Sequence, residues 1–109
     1  MGFFTPDTVD DALKQIGKMN SEMRAISALI HLNYNMIDGR NRDKIKSHLA
    51  NAIHYADKYE KIKRHLSEMD KIMLLGDTVD VWNGERVGVL IWETYFRNTT
   101  SKLYDDLNY

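Results

Sequence analysis

The sequence has no cysteine, which excludes thiol catalysis, disulfides and thiolate metal sites and fits a reducing compartment. Its single proline, Pro6, stands where a missing N–H costs a helix start nothing. Long apolar stretches are lacking too: the longest runs are four residues, Val89 to Trp92 among them, so no segment approaches a membrane span. The opening MGFFTP lacks the charged region and apolar core of a signal peptide. Pro6 also occupies the place where a myristoylation pattern needs Ser or Thr. A soluble, cytoplasmic protein without a membrane partner is the expectation. Net charge is nearly absent, with 15 basic against 16 acidic side chains, and gives no general reason to expect nucleic acid. A Walker loop, a dinucleotide fingerprint, a serine nucleophile elbow and HExxH are all missing, so a non-enzymatic chain with no cofactor is expected.

What the chain does have is helical period. A length of 109 residues allows one domain with a modest core, spanning residues 1–109, which subunit partners would help to complete. Thr5, Pro6 and Asp7 suit a helix start, and Thr8 with Asp11 forms a second candidate cap one turn later. Val9, Ile16, Met23, Ile30 and Ile37 then recur every seventh residue, with Ala12, Met19, Ile26 and Asn33 between them. This predicts helix 1 over 5–37. Gly17 lies beside that stripe, where it would let another helix approach closely. Asp38-Gly39 breaks the pattern and Asn41 can cap a second helix. Ile45, Ala52, Tyr59, Leu66 and Met73 carry a second stripe over 42–74. Two stripes of about 42 Å joined by a short turn predict a long antiparallel helical hairpin, and the fold class is mainly α. Folding the chain at Asn41 would pair Ile30 with Ala52, Met23 with Tyr59, Ile16 with Leu66 and Val9 with Met73.

Beyond Gly76 the pattern changes. Val79 and Val81 alternate with polar residues, Asn83-Gly84 fits a two-residue primed turn, and Val87, Val89 and Ile91 alternate on a returning strand. Residues 77–92 therefore read as a small β-hairpin. The competing reading is a third helix capped by Asn83, with Val87, Leu90, Ile91, Thr94 and Tyr95 on one face. A short terminal helix over 100–107 follows, headed by Thr100 or Ser101.

Two helices cannot enclose a core, and Leu13, Leu29, Leu32, Leu49, Ile53 and Ile72 widen their apolar faces. That surplus predicts cover by the C-terminal third or by another chain. Leu29, Leu32, Trp82, Trp92, Tyr95 and Phe96 are the interface candidates, with core packing as the alternative for the aromatics. The expected function is that of a helical binding or adaptor protein that self-associates and can engage a heterologous protein partner.

Charge is unevenly placed. Residues 38 to 71 carry nine Lys/Arg against six Asp/Glu, whereas 72 to 109 carry three against six. Arg40, Arg42, Lys44, Lys46 and His48 gather at the start of helix 2, where free backbone N–H groups also suit an anion. Arg42 and Lys46 share a face while Lys44 points away, so solvation of the helix start competes with binding. Lys58, Lys61, Lys63, Arg64 and His65 form a second basic group, in which Asp57 can pair with Lys61 and Glu60 with Arg64. His31, His48, His54 and His65 show no recognised metal spacing, and no metal site is expected.

The succession ALIHLNYNMID, a basic turn and HLANAIHYAD, preceded by an N-terminal segment with aromatics and proline, resembles the small phage proteins that sequester cyclic nucleotides. The resemblance implies an oligomeric sponge with ligand held between subunits. It is carried by that middle passage alone, and residues 74 to 109 do not fit the short pattern. A nucleotide or a short nucleic acid at residues 40 to 48 is accordingly the alternative partner.

Overall fold

The computed structural model describes residues 7–32 and 39–107, with the backbone alone at His31, Leu32 and Arg40. Among these, 82% lie in four helices, accompanied by a small antiparallel ribbon. The order is α1 (Val9–Leu32), α2 (Gly39–His65), α3 (Glu68–Leu75), β1 (Thr78–Asp80), β2 (Arg86–Gly88) and α4 (Val89–Leu107).

α1 begins at the second candidate cap. The Asp11 N–H donates to Thr8 Oγ1 (3.2 Å) and the Thr8 N–H to Asp11 Oδ2 (3.0 Å), so each satisfies a donor that the first helical turn leaves open. The helix thus starts at Val9, with Asp7 and Thr8 before it, while Thr5 and Pro6 lie outside the described residues. Ala12, Ile16, Met19, Met23 and Ile26 are buried along it at three- and four-residue spacing. α2 begins at Gly39, so Asn41 is a buried residue of its first turn and not its cap.

α1 and α2 form the expected hairpin in a different register. His48 Nδ1 and Glu22 Oε2 lie 2.5 Å apart, Asn51 donates to Glu22, the Lys18 ammonium sits 5.5 Å from the Tyr55 ring centroid, and His65 meets Asp7. These pairs are centred between residues 35 and 37, so the fold-back is about that level and not at Asn41. Ile16 then stands level with residue 56, and Leu66 lies about ten residues further on, roughly 15 Å along the axis. The expected pairing of Ile16 with Leu66, and those in step with it, is overturned. Ile37 and the turn itself lie outside the described residues. The stripes repeat every seven residues, so sliding one along the other keeps both apolar edges together and leaves the pattern unchanged.

That register also explains why the second helix does not run to residue 74. Leu66 has come level with the beginning of α1, and a continuing α2 would leave its stripe without a neighbour. The chain turns at Leu66 and Ser67 instead. Ser67 Oγ accepts the Asp70 N–H at 3.1 Å, capping α3, which buries Leu74 alone.

The ribbon exists, but is shorter than expected and turns differently. Val79 pairs with Val87, flanked by Thr78 with Gly88 and Asp80 with Arg86. The loop has three residues, Trp82 to Gly84: the Gly84 N–H donates to the Val81 carbonyl (2.9 Å) and the Val81 N–H to the Glu85 carbonyl (2.7 Å). That three-residue closure is what rules out the two-residue primed form, and Gly84 takes φ +91°, which a side chain would oppose. Val89 is the start of α4 and not a strand residue. Both readings of 77–92 therefore hold in part, strand up to Gly88 and helix after it.

α4 continues to Leu107 and absorbs the short helix expected over 100–107. Its inner face is Val89, Trp92, Phe96, Thr100, Leu103 and Leu107, not the face through Leu90, Ile91 and Tyr95. Trp92 packs edge-on to Tyr59 and stacks on Phe96 with centroids 5.2 Å apart. The buried Thr100 hydroxyl donates to the Phe96 carbonyl of its own helix at 2.7 Å. Tyr59 meets Glu93 near one end of α4, while Lys46 and Leu49 share a recess with Tyr104 and Leu107 at the other. α4 therefore runs antiparallel to α2 and closes the α1–α2 hairpin into a three-helix core.

Candidate functional site

The basic start of α2 does not converge. Lys44 and Lys46 are exposed, Arg42 is half-buried, and the Arg40 side chain lies outside the described residues. His48 is held by Glu22, which leaves it facing α1 instead of an anion. Arg42 Nε is buried with no hydrogen-bond partner, and it is the feature of this cluster that helix solvation does not explain.

In the second basic group, Lys63 reaches Glu93 at 2.9 Å and Glu60 at 3.4 Å. Glu60 thus turns to Lys63 and not to Arg64. Lys58, Lys61 and Arg64 are exposed, and His65 meets Asp7 at 3.4 Å. Among the described residues, no three His, Asp or Glu side chains gather to hold a metal ion, and no helix is long and apolar enough to cross a membrane.

Two polar junctions fasten α4. Asn20, buried on α1, accepts the Trp92 indole N–H at 2.8 Å and donates to the Asp80 carbonyl at 2.5 Å, using both ends of its amide. Glu93 accepts the Tyr59 hydroxyl at 2.7 Å as well as the Lys63 ammonium. Burial first, and then the Glu93 carboxylate, raise the Tyr59 pKa far above the usual phenol range, so this hydroxyl stays a donor at neutral pH. The first junction joins α1 to β1 and α4, and the second joins α2 to α4 beside a recess that Tyr59 and Glu93 line with Phe96 and Thr100.

Gly17 does not admit a neighbouring helix, since a Cβ there would meet nothing within 4 Å. It floors a recess of about 450 Å³ between α1 and β1, where Asn20, Arg24, Asp77, Asp80 and Arg86 gather. Arg86 is divided between Asp80 (3.0 Å) and the Thr78 carbonyl (3.2 Å), and Arg24 and Asp77 supply the other charges of the recess.

Of the interface candidates, Trp92 and Phe96 are buried in the chain's own core, and Trp82 and Leu29 are half-buried against it. Tyr95 is exposed, and the Leu32 side chain lies outside the described residues. Among the described residues the largest apolar exposures occur elsewhere: Met69 at 72%, Ile72 at 71% and Met73 at 58% on α3, joined by Leu90 and Ile91 at the start of α4, with Tyr104 at 65% near its far end. The sevenfold spacing puts Met73 on the second stripe and Ile72 beside it, and an apolar stripe looks the same whether or not something covers it. Compared with family models, curated proteins and solved structures, the chain matches none of them.

Proposed function

We propose that the protein is a non-enzymatic helical binding or adaptor protein that self-associates. One observation carries this reading: an ordered helix, α3, holds three large apolar side chains mostly in water. Folded monomers rarely keep such surface uncovered without a partner. The polar groups best placed for chemistry, Glu93, Tyr59, Lys63 and Asn20, are occupied with one another, which supports association over catalysis. Sedimentation of the full chain tests the proposal. Reversible growth in mass up to tens of micromolar is expected, and a strict monomer throughout overturns self-association.

A second reading, binding of a nucleotide or short nucleic acid at the start of α2, is supported by the unpaired Arg42 Nε. It predicts salt-dependent binding that Arg42→Ala abolishes. Binding that survives this change removes that placement.

A further inference from the structure

Around the axis of α3, Leu74 turns to the core with Asp70 and Lys71 half-buried at either side of it. Met69, Ile72 and Met73 occupy the opposite arc at three- and four-residue spacing, with Leu75 at its edge. The first two turns of α4 repeat the arrangement: Val89 and Trp92 turn inward, and Leu90, Ile91 and Tyr95 turn outward. The Val89 N–H donates to the Asp77 carbonyl at 3.1 Å, which seats the start of α4 beside the end of α3. Lys63 lines one recess with Leu75 and also holds Glu93, one turn from Leu90, so the two outward faces share one end of the molecule.

The exposed fractions of these seven residues amount to about four whole side chains. At roughly 200 Å² each that is on the order of 800 Å², the share each partner contributes to a stable interface of ordinary size. It exceeds the few hundred Å² that a monomer commonly leaves in one patch. Charge selects the occupant. The outward arc of α4 here consists of Leu90, Ile91, Thr94, Tyr95 and Asn98, with the exposed Arg97 at its edge below Leu90, and Glu93 is turned inward to Lys63 and Tyr59. On α3 the charged residue at the edge of the arc is Glu68, which is paired with Lys71. A twofold interface sets a patch against itself, so a charged centre would oppose its own sign, and an uncharged centre carries no such penalty.

We propose that α3 and the first two turns of α4 form a self-complementary face at which two copies of this chain pair about a twofold axis. The inference rests on the self-association proposed above and names its surface.

Sedimentation of the full chain and three single variants tests it. Wild type is expected to reach twice the monomer mass and stop there. Ile72→Glu and Ile91→Glu each bury an unpaired charge in the dimer and are expected to weaken it about 100-fold or more. Both side chains are more than half exposed, so helicity and melting of the variant monomers should match one another. Ile53→Glu, on the recess between α2 and α4, should leave the dimer intact. A wild-type monomer overturns the self-association reading together with this inference. A dimer that survives both Ile72→Glu and Ile91→Glu leaves self-association standing and overturns this surface. Mass that keeps growing beyond two overturns the twofold arrangement in favour of head-to-tail contact. A monomer that dimerises only after removal of residues 1–6 assigns the face to the chain's own N-terminal segment, and likewise overturns pairing of the intact chain.

Discussion

The hairpin and the C-terminal third hold themselves together by different means. α1 and α2 lie side by side over most of their length, and a long row of buried apolar residues runs along both. α4 combines an apolar face with two polar junctions, at Asn20 and at Glu93, near one end. α3 has neither a long partner nor a polar fastening beyond its cap, and its apolar side faces water. Long contact tolerates a slide or a lost methyl, whereas a keyed contact fails when one key is removed.

Removing Trp92 should have the largest effect. Trp92→Ala deletes the side chain that touches Tyr59 and Phe96 and strands the Asn20 carbonyl, a loss of about 3–5 kcal/mol by chemical denaturation. Asn20→Ala tests the polar key alone. It leaves the indole N–H and the Asp80 carbonyl unpartnered, which should cost roughly 2–4 kcal/mol. The cost should shrink in a Trp92→Phe background, where one orphan is gone.

Tyr59→Phe is a smaller break, of about 1–2 kcal/mol, because Lys63 still neutralises Glu93. Its signature is pH. The Tyr59 hydroxyl has a folded pKa raised above its unfolded value, so its contribution is complete below pH about 10 and is lost as pH rises beyond that. Alkaline denaturation of the wild type should therefore be steeper than that of Tyr59→Phe. Ser67→Ala should cost least, about 1 kcal/mol, through the lost cap. Amide exchange should rise in α3 while α1 and α2 stay protected, which would show how far α3 is separable from the hairpin.

The same contrast governs what was legible from residues alone. A stripe repeated over Val9 to Ile30 and Ile45 to Tyr59 reveals two helices that share a seam, because only a helix brings those positions to one side. Their relative slide was hidden, since nothing in Ile16 or Leu66 says which level of the partner each meets. The break at Ser67 was hidden for a related reason: Leu66, Met69, Ile72 and Met73 continue the period through it. In α4 two faces compete, and the true one is interrupted by Thr100, whose hydroxyl is satisfied within its own helix. Asn20 sits between Met19 and Ser21 in sequence and gains its role from Asp80 and Trp92, which are 60 and 72 residues away.

That separation has a consequence for biosynthesis. A growing polypeptide released from the ribosome in order can zip α1 to α2 early, yet its Asn20 amide must wait for the indole until 72 further residues have been translated. A product truncated before Trp92 would keep a lidless methionine-rich furrow along Met19 and Met23, the kind of surface that chaperones and degradative proteases recognise.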